Sequence, residues 1–203
     1  MNQNWRQKQK DDLKEQIFRT ALRLFRDHGY ENTTVQQITE KAGVAKGTFF
    51  NHFPSKEQVL AQWYRQFTLD AIEEVRGAKS ANAERTILAL MDGLAVRASA
   101  ERKLMEMKAR NLSDLLLEEE RTLDAELIAF CCEEIRRGKS RGEFDKDLDE
   151  ENFATLIVTT LTGTGRTWIL AGDEFDLQGA LRSNIGFLLR ASKTPQPKTR
   201  RRS

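Results

Sequence analysis

The sequence predicts an all-α protein with an N-terminal three-helix helix-turn-helix head on a larger helical body. Three observations favour this fold class. Apolar residues recur with helical periodicity along nearly all of the 203 residues. The alternating segments rich in Val, Ile and Thr that would indicate strands are absent from the sequence. Glycine, proline and capping residues divide the periodic stretches into helices of ordinary length.

The first predicted helix covers about residues 11–28. Leu13, Ile17 and Phe25 share one of its faces, at the spacing that lets an amphipathic helix bury a stripe against a core. Gly29 follows this stripe, and glycine readily takes the left-handed conformation that ends many helices. The sequence therefore predicts a first helix that is packed along one side.

A helix-turn-helix pattern follows the first helix. Thr34 and Gln37 match the capping box that starts a helix, so a second helix is expected over about residues 35–42. Gly43 permits a tight turn, after which a third short helix is expected over about residues 45–52. Two helices joined by a short turn that contains glycine are typical of the helix-turn-helix motif.

Longer helices are predicted in the rest of the chain. Pro54 prevents the third helix from continuing, and Ser55 with Gln58 can cap a fourth helix that reaches about residue 76. Apolar stripes between capping residues predict five more helices, over about residues 83–100, 102–110, 114–139, 149–170 and 176–191.

Three domains are predicted from this pattern. Residues 1–54 form a head, residues 55–191 form a helical body, and residues 192–203 form a basic, disordered tail that is rich in Pro, Lys and Arg. The net charge of the chain is +2, but residues 1–65 carry +4 and the remainder −2. A basic N-terminal third is suited to a polyanionic partner such as double-stranded DNA.

Composition also predicts where the protein resides. The sequence contains no apolar run near the roughly 18 residues of a membrane-spanning helix, and its polar N-terminus lacks the apolar stretch of a secretory signal. We therefore expect a cytoplasmic protein with no membrane partner. Cys131 and Cys132 are adjacent in a helical pattern and so point in different directions, which favours free thiols over a disulfide. A redox sensor is the alternative.

Metal and catalytic sites find little support in the sequence. His28 and His52 do not lie at ligand spacing with Cys, Asp or Glu. The acidic run at residues 118–120 is typical of a solvated helix face rather than of two carboxylates in unlike environments. No glycine loop follows a predicted strand to hold a phosphate. We therefore expect no enzyme activity, no cofactor and no metal.

The third helix has the composition of a surface that meets duplex DNA. In helix-turn-helix motifs, the N-terminal residues of the second helix of the motif meet base edges in the major groove. Residues 45–48 are small or cationic, and Lys46 can reach a base or a phosphate. Thr34 offers a hydroxyl and free amides to a phosphate, while His52 and Lys56 can reach the flanking backbone. Taken singly, Thr34 is equally a helix cap, and His52 and Lys56 are ordinary surface residues.

The segment TTVQQITEKAGVAKGTFFNHFPSKEQVL, residues 33–60, resembles the DNA-binding signature of the TetR family of bacterial transcriptional repressors. The resemblance covers about the first 60 residues closely, and beyond them only the helical layout is similar. Composition and this resemblance together predict a set of DNA-contacting residues: Thr34, Ala45, Lys46, Gly47, Thr48, Phe50, Asn51, His52 and Lys56.

One position departs from the family pattern. The family usually has a tyrosine where this chain has Phe50, and its hydroxyl commonly bonds a phosphate. Phe50 can only stack or pack, and the missing hydrogen bond is worth about 0.5–1.5 kcal/mol, so DNA binding is expected to survive. Phe49 and Phe53 are expected to lie in the core of the head.

The resemblance implies a ligand-responsive regulator, which a small apolar or amphipathic molecule releases from a palindromic operator. Methionine and aromatic residues of the body are suited to lining an irregular ligand cavity, although each, taken singly, is better interpreted as an ordinary core residue. The predicted lining residues are Trp63, Phe67, Met91, Leu94, Met105, Leu112 and Trp168.

A homodimer is expected because a two-fold operator is best read by a two-fold protein. The last two predicted helices carry wide apolar stripes, which could form a four-helix bundle with a second copy. The alternative is that both stripes are buried within one subunit. The predicted interface residues are Phe153, Ile157, Leu161, Leu177, Leu181, Ile185 and Leu188.

Two other classes of function stay open at this point. A DNA-binding architectural protein of the same fold would have no inducer and no cavity. A helical enzyme that borrowed the head would have a cavity that holds a carboxylate pair or a metal.

Overall fold

The computed structural model describes residues 2–78, 80, 82–111 and 113–193, with side chains from Trp5 onward. Within these ranges the protein is all-α, as predicted, and has no strand. The helices are α1 (Asn2–His28), α2 (Val35–Ala42), α3 (Lys46–His52), α4 (Lys56–Gly77), α5 (Ala83–Ala100), α6 (Arg102–Arg110), α7 (Asp114–Ser140), α8 (Glu150–Ala171) and α9 (Leu177–Ala191).

The predicted start of α1 at residue 11 is wrong, because the helix begins at Asn2. Residues 5–10 are all exposed, so no buried stripe marks this part of the helix in the sequence. The other helices begin and end within about one residue of their predicted bounds. The predicted tail lies outside the described residues from position 194 onward, so its predicted disorder stays a prediction.

Side-chain caps determine where several helices begin. The Gln37 N–H donates to Thr34 Oγ1 at 3.2 Å, and the Thr34 N–H donates to Gln37 Oε1 at 2.7 Å, which confirms the predicted capping box of α2. Ser55, Asp149 and Asp176 accept in the same way from the first turns of α4, α8 and α9. Each cap satisfies a backbone donor that has no partner within its helix.

The chain forms two compact units. Unit 1 consists of Met1–Gln66 and Glu101–Glu120, and unit 2 of Phe67–Ala100 and Arg121–Ser203, counting only the described residues of each. The division points fall inside α4, between α5 and α6, and inside α7. Residues 101–120, which are predicted to be part of the body, cluster with α1–α3 in unit 1.

Aromatic residues form the centre of unit 1. The rings of Phe18 and Phe53 stack with their centroids 6.3 Å apart, and those of Phe49 and Phe53 are 5.8 Å apart. Phe25 meets Tyr30 edge to face at 5.2 Å. Phe49 and Phe53 are fully buried, which confirms their predicted place in the core. These contacts connect α1, α3 and the loops beside them.

The core of unit 2 is largely aliphatic, with Phe130, Phe144 and Phe153 among its members, and is formed mainly by α5, α7, α8 and α9. Ile87 and Leu90 of α5 are fully buried, as are Ile157 of α8 and Ile185 of α9. The apolar stripes of these helices therefore pack against one another within one subunit. Among the described residues, no helix is both long enough and apolar enough to cross a membrane.

Candidate DNA-binding surface

Gly43 and its neighbours set the angle between α2 and α3. Gly43 has φ 65° and ψ 34°, a left-handed conformation that glycine adopts without the strain of a Cβ atom. Its N–H donates to the Glu40 carbonyl at 3.3 Å, and the Val44 N–H donates to the Thr39 carbonyl at 3.0 Å. These bonds satisfy the last carbonyls of α2 and direct the chain into α3.

The outward face of α3 combines a cation, small residues and one aromatic ring. The Lys46 Nζ lies 6.0 Å from the centroid of the Phe50 ring, which is 43% exposed. A Cβ atom on Gly47 would meet nothing within 4 Å, so the backbone here is open to a large partner. Phe49 anchors the opposite face of the helix in the core. One side of α3 is therefore packed in the core, and its other side is exposed.

Most of the predicted DNA-contacting residues are accessible. Thr34, at the start of α2, and the residues of α3 belong to the same unit. The exposed members of the set are Thr34, Ala45, Lys46, Gly47, Phe50 and Asn51, and the half-exposed members are Thr48, His52 and Lys56.

His52 lies at the end of α3 and is influenced by α1. Burial lowers the pKa of His52, and the charges of Lys10 and Lys14 lower it further, while Asp11 opposes them. The imidazole is therefore mostly neutral at pH 7. A neutral His52 can donate a hydrogen bond to a phosphate.

Lys56 has a structural role that the sequence analysis missed. Its Nζ donates to the carbonyls of Tyr30 and Thr33, at 2.7 and 2.9 Å, and lies 4.1 Å from the centroid of the Tyr30 ring. Burial lowers the pKa of Lys56, and the nearby Glu31 opposes this effect. The ammonium group has three donors, so one is left for a phosphate after these two bonds.

A set of polar contacts between α1 and α6 was also missed. Arg26, in the last turn of α1, donates to both carboxylate oxygens of Glu101 at 2.9 and 2.7 Å. The Lys103 Nζ donates to the Arg26 carbonyl at 3.1 Å. Bidentate pairs of this kind fix geometry as well as adding energy. Within unit 1, the start of α6 is therefore attached to the end of α1.

The predicted ligand-lining residues are divided between the units. Trp63 and Met105 belong to unit 1, whereas Met91 and Leu94 are part of the core of unit 2 and Phe67 packs against it. Trp168 is buried in unit 2, and Leu112 lies outside the described residues.

Two of the grooves on the surface of the described residues contain no predicted lining residue. One, of about 680 Å³, lies between α7 and α8 and is bordered by Cys132, Arg136 and Glu150. The other, of about 540 Å³, lies between α1 and α2 and is bordered by Arg23 and Gln37. The described part of the chain also has no group of three or more His, Cys, Asp and Glu residues that could hold a metal ion.

The predicted dimer residues are mostly buried within their own subunit. Leu161 and Leu188 are half-buried, and the others, Phe153, Ile157, Leu177, Leu181 and Ile185, are buried. Other apolar residues of the same helices are exposed instead, namely Leu156 and Leu170 on α8 and Phe187 on α9. The predicted interface residues are therefore mostly buried within one subunit, as the alternative interpretation of the stripes expects.

A capped helix, a glycine turn and a short exposed helix form a helix-turn-helix head of the kind with which transcriptional regulators bind DNA. The family model described as bacterial regulatory proteins, tetR family, matches residues 17–62 of the chain. This match covers the head, and together with relatives that are similar over nearly the whole chain it confirms the resemblance to the TetR family.

Similar proteins match either the head alone or nearly the whole chain. HTH-type transcriptional regulator TcmR from Streptomyces glaucescens is 50% identical over 54 residues, which are 27% of this chain and only 24% of that relative. Fatty acid metabolism regulator protein from Bacillus subtilis is 26% identical over 196 residues, 90% of this chain and 96% of the relative. The structure of Thermus thermophilus FadR in complex with lauroyl-CoA is 26% identical with a TM-score of 0.73, covering 92% and 98% of the two chains.

Proposed function

We propose that this chain is a sequence-specific transcriptional repressor that is released from a palindromic operator by a small molecule. The exposed face of α3, opposite the buried Phe49, is the observation that carries the proposal. The protein would act in the cytoplasm, where the DNA is, and would have no catalytic activity. One relative is named as an HTH-type transcriptional regulator and another as a fatty acid metabolism regulator protein, which supports the proposal.

DNA recognition is assigned to two elements of the head. We place α3 in the major groove, where Lys46, Thr48 and Asn51 contact base edges or phosphates. The first turn of α2 faces a phosphate with its free amides, and the Thr34 hydroxyl, which donates to Gln37 Oε1 at 3.1 Å, exchanges that bond for the phosphate. Phe50 has no hydroxyl, so its ring contributes apolar contact, for which the methyl group of thymine is a suitable partner.

Dimerisation is assigned to the outward faces of α8 and α9. Leu156, Leu170 and Phe187 are exposed there, and Phe187 is 65% exposed. A Cβ atom on Gly163 would meet nothing within 4 Å, so the backbone of α8 is open to close approach by a second helix. Pairing of these faces between two subunits would give a four-helix bundle and a two-fold axis that matches a palindrome. Two recognition helices would then enter major grooves about 34–36 Å apart.

Ligand response is proposed through two arrangements of the dimer, of which only one fits the operator. A ligand shifts their populations only by its difference in affinity for the two. The structurally similar Thermus thermophilus FadR was solved in complex with lauroyl-CoA. We therefore propose acyl thioesters, which are amphipathic, as the first ligand class to test.

The decisive experiment selects bound sequences from random duplex DNA with the purified chain and then titrates lauroyl-CoA into the complex. We expect a palindromic consensus and release of DNA by the ligand. If no sequence is enriched at low ionic strength, the DNA-binding proposal is overturned. Enrichment of a palindrome with no release by any acyl thioester would overturn only the ligand class.

A second candidate is a DNA-binding architectural protein of the same fold without an inducer. The observation that favours it is that the groove between α7 and α8 and the groove between α1 and α2 contain no predicted lining residue. Binding to random duplexes as tight as to any selected one would support this candidate.

A further inference from the structure

We propose that the first turns of α1 form a second DNA-contacting surface, which binds phosphates flanking the site read by α3. The surface is the cationic stripe of Arg6, Lys10 and Lys14. The proposal rests on the proposed DNA-binding function, but it concerns residues outside the helix-turn-helix motif.

The stripe lies on one face of α1. Residues four apart on a helix are neighbours on its surface, so Arg6, Lys10 and Lys14 follow one another along the axis. The continuation of this face buries Ile17 and Ala21 completely in the core of unit 1. Arg6 and Lys10 are exposed and Lys14 is half-exposed, so the face carries cations where α1 no longer has a core to cover.

The stripe begins beside the recognition helix. The Lys14 Nζ lies 5.6 Å from the centroid of the ring of Phe53, the residue that ends α3. The charges of Lys10 and Lys14 both act on His52, in the last turn of α3. The cationic surface is therefore continuous from α3 onto α1, and a duplex seated on α3 would have its phosphates beside this stripe.

Charge on this surface favours an anionic partner. Neither Arg6, Lys10 nor Lys14 forms an ion pair among the described residues. The acid that also acts on His52 is Asp11, whose Oδ1 accepts a hydrogen bond from the Gln7 side chain at 2.9 Å. The three cations of the stripe thus outnumber this acid, whose charge also acts on His52. Cations without an acidic partner gain most when they displace the counterions condensed on DNA.

The dimensions of the stripe suit a phosphate backbone. A helix rises about 1.5 Å per residue, so Arg6 and Lys14 are roughly 12 Å apart along the axis of α1. This length is enough to reach two neighbouring phosphates on one strand. Contacts of this kind strengthen binding and set orientation without reading sequence.

The test compares Lys10→Ala with the matched control Lys8→Ala in the full-length chain. Both lysines are exposed and both variants remove one charge, but Lys8 lies about 200° around the helix from Lys10 at 3.6 residues per turn. The affinity for the selected palindrome is measured as a function of salt concentration. We expect the log–log slope to fall by about 0.9 for each phosphate that Lys10→Ala no longer neutralises, and to be unchanged in Lys8→Ala.

A second arm varies the DNA. The wild-type chain should bind a palindrome with added flanking base pairs more tightly than one trimmed to the consensus, and Lys10→Ala should abolish most of this difference. Equal slopes for wild type, Lys10→Ala and Lys8→Ala on the longer duplex would overturn the inference. Failure of the wild-type chain to enrich any sequence would instead overturn the proposed function.

Discussion

Lys56 and Tyr30 form a close pair in which the Lys56 Nζ lies 4.1 Å from the centroid of the tyrosine ring and donates to the Tyr30 carbonyl at 2.7 Å. A second bond from the same Nζ reaches the Thr33 carbonyl. The first residue of α4 therefore holds the loop that leads into the cap of α2. Burial raises the pKa of Tyr30 to about 12, as expected for a phenol held away from water.

Lys56→Ala should destabilise the head. The substitution leaves two loop carbonyls without their charged donor, and hydrogen bonds to charged groups are worth about 1.5–3 kcal/mol, so we expect a decrease of this order in the free energy of unfolding. Chemical denaturation measures the change. Lys46→Ala is the control, because Lys46 is exposed. It should leave stability unchanged and reduce the salt dependence of DNA binding. Equal stability of the two variants would contradict the structural role of Lys56.

DNA binding should tighten as the pH falls through about 6.5, the ordinary pKa of histidine. The pKa of His52 is lowered in the free protein, and a phosphate nearby would raise it, so binding takes up protons. The pH dependence of folding stability has the opposite sign to that of DNA binding. Because the folded-state pKa lies below the unfolded one, the contribution of His52 to stability is present above the ordinary pKa and is lost as the pH falls.

Titrations of wild type and His52→Gln at several pH values test this linkage. The affinity of His52→Gln should vary less with pH than that of wild type. If the two proteins respond to pH identically, His52 does not face a phosphate in the complex.

Gly138→Ala should destabilise unit 2. A Cβ atom at Gly138 would lie 2.5 Å from the ring of Phe144 and 3.0 Å from the Cβ of Ala83. Overpacking of this kind costs about 1–3 kcal/mol. Gly93→Ala is the matched control, because its added Cβ would meet nothing within 4 Å and alanine is favoured over glycine within a helix by about 0.5–1 kcal/mol. Melting temperatures should therefore move in opposite directions, and a shared direction would disprove the close approach to Phe144.

Phe187→Glu should convert the dimer to monomers. The side chain lies on the outward face of α9, and a buried unpaired carboxylate at a subunit interface is strongly unfavourable. Val96→Glu, at an exposed apolar position of α5, serves as the control and should remain dimeric. Sedimentation measures the mass of each variant. If the Phe187→Glu variant stays dimeric and the Val96→Glu variant is monomeric, the interface lies on α5 and not on α9.

Local signals in the sequence were enough to predict most helix bounds and the architecture of the head. The cap at Thr34 and the turn at Gly43 act on their immediate neighbours, so their effects can be predicted from a short stretch of chain. The early start of α1 was missed because helix there is not accompanied by burial. The bidentate pair of Arg26 and Glu101 joins residues 75 positions apart, and no periodicity marks it.

The apolar stripes of α8 and α9 illustrate a different difficulty. Ile157 and Ile185 share their helices with Leu156 and Phe187, and all four are apolar, so periodicity alone does not decide which face meets the subunit's own core. The structure places the isoleucines in the core and leaves the other two exposed. The preference depends on how α5 packs against α9, which is a tertiary property.

Unit 1 is not a continuous stretch of sequence, and this matters for engineering. A fragment that ends after Gln66 would lack Glu101 and Lys103, and with them the attachment at the end of α1. Chimeric repressors that join this reading head to another sensor should therefore carry residues 101–120 along with the first 66. A chimera that takes only the first 66 residues would lack the second segment of unit 1.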